Sequence, residues 1–532
     1  MYLVTAREMQ DMDRTTIESF GIPGRVLMEN AGRGATQMLF DTFTDIRTKR
    51  VGIIAGRGNN GGDGFVIARY LYQYGIKVIV YLLSKANNLK GDAEANLKLL
   101  GPIGVPVIEI PAQSDFDLNR VSLAHQEIWV DAILGTGLKS NVKGYFKNII
   151  TFINNSKLPV FSVDIPSGLD SDTGQPHGIC IKAKATATFA FAKSGHIHYP
   201  GSHYTGRLGI VDIGIPEHII KKTDPFQNLI TPEMVCNGFH PRRADAHKGT
   251  AGHLMIIAGS PGKTGAAAMT AKSAMKTGAG LVTLGIPASL NPILESQVLE
   301  VMTEPLAETK DSMLAEASFD SIIRLLEGKT CLIVGPGVGM SDETGNLIRQ
   351  IISNTGIPVV IDADGINHLS GNTDLLRKIK TPVILTPHPG EMARLTGNSV
   401  QDIQKDRTGA ARKFAAESGV HLVLKGAKTV IAHPDGTVFI NPTGNPAMAS
   451  GGMGDVLTGI IGGLLTQGYS SEYASTAGVF MHGAAADSIS KKTGPVGILA
   501  SEVMNAIPEQ FLNIAKRATS TYMSIMPDSL RL

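Results

Sequence analysis

The 532-residue chain is poor in cysteine and in aromatic residues. Its three cysteines, Cys180, Cys236 and Cys331, lie far apart and form no CxxC pair. That excludes a disulfide scaffold and a thiolate zinc site, and it fits a reducing compartment. Aromatic residues make up 5% of the chain, and Trp129 is the one tryptophan. Little is left with which to stack the bases of a single strand. Neither sign of charge prevails. Lys+Arg 49 against Asp+Glu 47 gives a formal net charge of +2, so a polyanion-binding surface over the whole protein is excluded and nucleic acid is not an expected partner. No uncharged apolar run reaches about 18 residues, the length of a membrane span. The first twenty residues carry acids and no apolar stretch of the kind a secretory signal needs. The expectation is a cytoplasmic chain with no membrane partner.

What the chain has is glycine and a regular alternation. Gly 60 and Pro 27 exceed average usage without marking a low-complexity chain. Short β-branched runs alternate with longer helical patterns. VGIIAG (51–56), KVIVYLL (77–83), IWVDAIL (128–134) and VFSVDIPSG (160–168) read as buried strands ending in polar or glycine-rich loops. HLMIIAGS (253–260), CLIVGPG (331–337), PVVIDAD (358–364), PVILTPH (382–388) and HLVLKG (421–426) repeat the habit. Continuous apolar strands between helices predict parallel sheets covered on both faces, an α/β fold. Ligands in such sheets bind beyond the carboxyl ends of the strands. Between about 215 and 245 the sequence is rich in proline and charge and loses periodicity. The expected layout is a domain over 1–220, a linker over 221–245, a second domain over 246–510 and a tail over 511–532.

In the first half, the strand VGIIAG runs into GNNGGDG (58–64) and then an apolar helix. A glycine-rich turn opening a helix points backbone N–H groups at a phosphate. Asn59, Asn60 and Asp63 add oxygens to the same space. DAILGTGL begins at Asp131, and VDIPSGLDSDTG carries Asp164 and Ser167. Asn, Asp and Ser oxygens without His or Cys suit a hard cation. Each Asp alone reads equally as a helix cap. Glu29 and Asn30 read either as site residues or as caps. Asp164 is the candidate acid/base, with an ordinary pKa of about 4 unless burial raises it. Lys193, in FAKSGH, is a weaker candidate, as an electrophile; a lysine is more commonly found on the surface. GNNGGDG is not GxGxxG, so a general dehydrogenase is a poor reading.

YLVTAREM, LMENAG, GNNGGDG, DAILGTGL and VDIPSGLDSDTG together resemble the NAD(P)H-hydrate epimerase family over about 1–215. The resemblance implies a Rossmann-like three-layer domain that interconverts the R and S forms, at C6, of NADH or NADPH hydrated on the dihydronicotinamide ring. It carries substrate contacts onto Asn59, Asn60, Gly61, Gly62 and Asp63, onto Gly135, Thr136, Gly137, Leu138, Lys139, Ser140 and Asn141, and onto Asp164. It carries potassium (K+) ligands onto Asn60, Asp131 and Ser167. Arg57 stands where a proline or small residue is commoner, with an effect expected on loop stiffness rather than chemistry.

In the second half, GSPGKTG lacks the spacing of a P-loop, and HPGE is not a zinc-protease motif. GPGVG (335–339) suits close approach to a ligand. His388 reads equally as a ligand contact or a structural hydrogen bond. LKGAKTVIAHPDG reads as strand, turn, strand, with Lys425 and Thr429 in reach of a phosphate. The decisive stretch is GNPAMASGGMGDVLTGIIGGLLTQG. Its glycine turn offers backbone N–H groups to a transferring phosphoryl group. Asp455, opening the helix, is placed to take a substrate hydroxyl's proton, and the helix dipole is expected to keep it ionised.

With TGAAAMTAKSAMKTGAGLVT, IDADG and LTPHPGEMARL, this half resembles the ribokinase-like superfamily, and within it the ADP/ATP-dependent NAD(P)H-hydrate dehydratases. The resemblance implies a three-layer α/β/α domain that uses ADP or ATP, with Mg2+, to phosphorylate the 6-hydroxyl of the S epimer. It places Ala266, Gly337, Gly339, His388 and Asp455 against the hydrated coenzyme, and Lys425, Gly426, Ala427, Lys428, Thr429 and Gly454 against the nucleotide. The partners implied are small molecules, and a homo-oligomer is expected. Two rival readings stay open: an ordinary small-molecule kinase in the second half, and a non-catalytic nucleotide-binding module in the first.

Overall fold

The computed structural model describes residues 1–525. It forms two compact units, Tyr2–Gln227 and a second from Asn228 onward. The segment 221–245 is not featureless. The helix Pro232–Asn237 is capped by Thr231 and buries Val235 and Cys236 in the second unit's core. Two buried residues in one short helix make too weak a period to read. The helix Ile507–Ile525 runs through much of the segment read as a tail, while 526–532 lie outside the described residues.

In the first unit seven parallel strands run in the order Val107–Glu109, Lys77–Leu82, Arg50–Ala55, Ile128–Ala132, Val160–Val163, Ala185–Phe189 and Arg207–Val211. Chain order reverses between Arg50–Ala55 and Ile128–Ala132, so a crevice opens beyond Ala55 and Ala132. The central strands are buried on both faces, each Ile or Val contributing roughly 2 kcal/mol. Trp129 is fully buried among them. The helix Gly24–Thr42 lies close to the helix Asn59–Gln73 because Gly32 has no side chain; a Cβ there would sit 2.4 Å from Val66.

In the second unit the order is Met302–Leu306, Leu281–Pro287, His253–Ile257, Cys331–Val334, Val359–Ile361, Val383–Leu385 and His421–Leu424, all parallel, then Val430–Ala432 and Val438–Ile440 antiparallel. The reversal falls between His253–Ile257 and Cys331–Val334. Over this point lies the almost wholly buried helix Met453–Thr466, packed on the helix Thr264–Thr277. The two backbones approach through Gly459, where a Cβ would fall 1.8 Å from Ser273 Oγ and 2.2 Å from the Thr270 carbonyl oxygen. The three cysteines are free and buried. Among the described residues no helix is long and apolar enough to cross a membrane.

The Gly459 contact generates a prediction. Gly459→Ala must push the helices apart, and it should lower the stability of the second unit by about 1–3 kcal/mol. Thermal unfolding followed by calorimetry checks this; an unchanged transition would refute the packing argument.

Candidate functional site

The crevice of the first unit is a cavity of about 940 Å³. Its walls come from several elements. The helix Ala6–Thr15 contributes Met9, Gln10 and Asp13. The turn after Arg50–Ala55 contributes Gly56 to Asn60, and the first turn of the following helix adds Asp63. Beyond Ile128–Ala132 come Ile133 to Leu138, and beyond Val160–Val163 comes Asp164. Lys193 closes the floor. The glycines make the close approaches. A Cβ on Gly56 would meet the Ile133 carbonyl oxygen at 2.1 Å, and one on Gly61 would meet the Gly56 carbonyl oxygen at 2.0 Å. No side chain caps the helix that starts at Asn59, so its first N–H groups are left for an anion.

Of the residues expected from sequence, Asn59, Asn60, Asp63, Gly135, Thr136, Gly137, Leu138 and Asp164 line this cavity. Gly61 and Gly62 stand behind the wall. Gly62 lets Met28 pack close, since a Cβ there would fall 2.7 Å from the Met28 sulfur. Lys139, Ser140 and Asn141 lie past the lining residues. Glu29 and Asn30 do neither thing foreseen. Glu29 pairs with Arg69 and accepts the Tyr70 hydroxyl at 2.7 Å, while Asn30 donates to the Ile213 carbonyl at 3.0 Å. Both hold the helix Gly24–Thr42 in place.

Asp131 is fully buried at the end of its strand. It accepts Ser167 Oγ at 2.5 Å, the Ser167 N–H at 2.8 Å and Ser162 Oγ at 2.8 Å. Burial pushes its carboxyl above the ordinary range despite these donors. Asn60 packs its Cβ beside Gly135, and both polar atoms of its side chain are buried without a hydrogen-bond partner among the described residues.

Lys193 is not a surface lysine. It is 1% exposed, and its Nζ donates to Asp164 Oδ1 at 2.6 Å, to Thr188 Oγ1 at 2.9 Å and to the Phe189 carbonyl at 3.3 Å. Asp164 has φ +62°, a left-handed conformation that few side chains tolerate. Burial alone would raise its carboxyl. The Lys193 ammonium outweighs burial and holds it below the ordinary range. Two further acids share the cavity. Burial and the charge of Asp164 push Asp63 well up. Burial raises Asp13 to about 6 against the pull of Lys193. Sequence reasoning missed Asp13, more than a hundred residues from its partners; its one signal is its i, i+4 spacing from Met9 on a face that also carries Ile17.

In the second unit the sequence-predicted residues gather beyond the carboxyl ends of the central strands. Gly337 (φ +63°) lies against Lys263 and Ala266, where a Cβ would be 2.9 Å from Lys263 Cβ and 3.3 Å from Ala266 Cβ. Asp364 links this group, accepting Lys263 Nζ at 2.8 Å and the Gly339 N–H at 3.0 Å. His388 caps the helix Pro389–Thr396: its Nδ1 accepts the N–H groups of Gly390 and Glu391 at 3.0 and 3.4 Å. Its ring stays half exposed beside Glu391.

Asp362, which sequence reasoning left inside a motif without a role, is the buried centre of the site. It accepts Lys425 Nζ at 2.8 Å and Thr458 Oγ1 at 2.8 Å. Gly454 faces this pair, a Cβ there falling 3.2 Å from Lys425 Nζ. Lys425 is thus committed to carboxylates, with Glu391 Oε2 also 3.8 Å away. In the following turn Lys428 (φ +56°) donates to the Pro442 carbonyl at 2.7 Å, and Thr429 Oγ1 to the Gly426 carbonyl at 3.0 Å. Gly426 and Ala427 complete that exposed turn. The expectation that the helix dipole keeps Asp455 ionised is overturned. Burial, then Asp362, raises its carboxyl to about 7, and Lys425 only partly offsets them. No side chain caps the helix, so the N–H groups around Gly454 and Asp455 are open to an anion.

The Lys193–Asp164 pair generates a prediction. Asp164 contributes stability above about pH 4 that is lost as pH falls through its lowered folded-state value. Lys193→Met leaves that carboxylate buried without a counter-charge, and it should cost about 3–5 kcal/mol at pH 7. The sign then reverses, because a raised Asp164 favours the protonated fold, so the variant should gain stability from pH 7 to pH 5. Denaturant unfolding followed by Trp129 fluorescence reads the first unit alone. A variant as stable as wild type at both pH values would refute the pairing.

A family model described as NAD(P)H-hydrate dehydratase matches residues 254–509, and one described as YjeF-related protein N-terminus matches 24–195. The chain is 41% identical over 516 residues to the bifunctional NAD(P)H-hydrate repair enzyme of Moorella thermoacetica, covering 97% of each chain. It is 35% identical to the enzyme of that name from Thermofilum pendens, over 98% of this chain and 99% of that one. It also aligns with a crystal structure of the ADP/ATP-dependent NAD(P)H-hydrate dehydratase of Bacillus subtilis with ATP and Mg2+, at 32% identity, over 55% of this chain and 98% of that one, with a TM-score of 0.48. On the strength of the full-length relatives, the chain belongs to the family of bifunctional NAD(P)H-hydrate repair enzymes.

Proposed function

We propose that the chain repairs hydrated NADH and NADPH in two steps. The first unit interconverts the R and S forms at C6. The second transfers a phosphoryl group from ADP or ATP to the 6-hydroxyl of the S form and expels phosphate, regenerating NADH or NADPH with AMP or ADP. The observation that carries the reading is Asp455. A part-buried carboxyl with its pKa raised to about 7 stands in an uncapped helix start, beside a lysine–carboxylate pair.

In the second unit the ionised Asp455 accepts the proton of the 6-hydroxyl as its oxygen takes the phosphoryl group. The open N–H groups of the first turn carry the charge on the equatorial oxygens. Lys425, held by Asp362, brings a fixed positive charge to the same place. Phosphate leaves C6 where hydroxide would not, the C5 proton passes to the departing phosphate, and the C5–C6 double bond returns. Ala266, Gly337, Gly339 and His388 form the wall toward the coenzyme, and Lys425 to Thr429 with Gly454 the wall toward the nucleotide. Magnesium neutralises phosphate charge when bound. Lysines already engage Asp362 and Asp364, and no group of three or more His, Cys, Asp or Glu side chains placed to hold a metal ion occurs among the described residues. The nucleotide phosphates would therefore hold most of its coordination.

In the first unit the N–H groups at Asn59 and Asn60 face the coenzyme phosphates, with Gly135 to Asn141 along one side. Asp164, ionised and fixed by Lys193, orients the ring. Asn60, Asp131 and Ser167 fit a potassium ion: the set is all oxygen, Asn60 is unsatisfied, and a cation would relieve the burial of Asp131. The reduced, buried cysteines suit a cytoplasmic setting. A homo-oligomeric assembly completes the reading.

A kinase that stops at phosphoryl transfer would keep phosphate on its product. Mixed epimers incubated with ADP or ATP should instead recover reduced-coenzyme absorbance to completion, with one phosphate freed per coenzyme. A halt near the S fraction would remove the epimerase. For dehydration, kcat/KM should rise with pH about a midpoint near 7, since the base form of Asp455 is the active one. Asp455→Asn should lower it by roughly 100-fold or more at pH 8. An unshifted profile with near-normal rate would exclude Asp455 as the base.

A further inference from the structure

We propose that Asp13 is the proton-transfer group of the N-terminal cavity, with Asp164 and Lys193 standing beside it as a fixed ion pair. The assignment rests on the epimerase reading above and says which side chain moves the proton. The geometry separates the candidates. Asp164 Oδ1 already accepts Lys193 and Thr188, at 2.6 and 3.0 Å. A carboxylate so occupied and stabilised in its ionised form is a weak base, and it holds no proton to give. His196 is spent in structure. Its Nδ1 accepts the Lys193 N–H at 3.1 Å and its Nε2 lies 3.0 Å from the Asp164 carbonyl oxygen. Burial, with Lys193 adding to it, lowers His196 to about 3, so it stays neutral.

Asp13 differs on each count. It lines the cavity from the helix Ala6–Thr15, and its Oδ1 is buried with no hydrogen-bond partner among the described residues. A buried, unsatisfied carboxyl oxygen in a cavity wall is costly to keep unless a ligand satisfies it. The charged groups around it are Lys193 from the floor, Asp164 beyond its strand and Asp63 from the helix Asn59–Gln73; Arg57, Lys85 and Asp92 line the same cavity. Burial leaves Asp13 near 6, where it gives and takes a proton at similar cost.

The step balances on this one group. Ionised Asp13 takes the proton of the 6-hydroxyl. The C6–N1 bond breaks, its electron pair passes to N1, and C6 becomes a carbonyl carbon. Asp13 delivers the proton to N1. After the carbonyl turns its other face, closure reverses each move: Asp13 takes the proton from N1, the N1 pair attacks C6, and the new hydroxyl oxygen receives the proton. No oxidant, reductant or nucleotide is consumed.

The test follows exchange between purified NADHX epimers by chiral chromatography, without nucleotide, for the full chain and for Asp13→Asn and Asp13→Glu. Dehydration of the S epimer by the same preparations, and Trp129 fluorescence, report folding. Wild-type exchange should rise with pH about an inflection near 6. Asp13→Asn should lose about 100-fold or more of the rate, and that inflection with it. Asp13→Glu should recover part of the rate and a shifted inflection. Exchange in Asp13→Asn within about threefold of wild type would overturn the assignment while leaving the epimerase standing. A folded Asp13→Glu with an unshifted wild-type profile would overturn it equally. Absence of exchange in the wild type would remove the epimerase reading and this assignment together.

Discussion

A lysine–aspartate ion pair, one partner buried and the other mostly so, organises the polar end of each unit. Lys193 holds Asp164 in the first, and Lys425 holds Asp362 in the second. Each paired carboxylate follows the carboxyl end of a parallel strand, Val160–Val163 in one unit and Val359–Ile361 in the other, and ligands of an α/β sheet bind beyond such ends. Removing either partner would leave a bare charge in a poorly solvated place. The pair is therefore a constraint on everything around it. Close to each pair stands a second acid whose carboxyl is raised chiefly by burial; Asp362 adds to the rise in the second unit, while Lys193 pulls the other way in the first. Asp13 is held near 6 and Asp455 near 7. On the proposed reading, two such carboxyls divide the work: one orients or balances charge, and the other moves a proton.

The framework was legible in the sequence because its strands are continuous β-branched runs, and continuous runs mean burial on both faces. Arg50–Ala55, Ile128–Ala132, His253–Ile257 and Cys331–Val334 lie within the segments read as strands. Ala185–Phe189 was harder. ATATF has little hydrophobicity, yet every residue is buried, because small side chains let the helix Gly24–Thr42 come close. The glycine-rich turns were legible for the same reason that they work: glycine at such density marks backbone approach. Gly56 against Ile133 and Gly454 against Lys425 are those approaches.

What stayed hidden depends on distance along the chain. Asp13, Asp63, Asp164 and Lys193 come from four separate elements, and no spacing rule joins them. Lys193 looked like any surface lysine because its sequence neighbourhood says nothing of the carboxylate 29 residues earlier. The expected ionisation of Asp455 failed for a related reason. The helix dipole favours the anion by about 1 kcal/mol or less at an exposed terminus, and burial beside Asp362 is the stronger influence. A local rule lost to a tertiary one.

Asp164 sits at φ +62°. A branch at Cβ resists that conformation, whereas aspartate, asparagine and glycine accept it most readily. The site therefore limits its own evolution. Backbone shape draws drift at this position toward those three before any chemistry is asked. Of the three, just one keeps a charge for Lys193 to hold, so the loop's contour and the salt link can change only together.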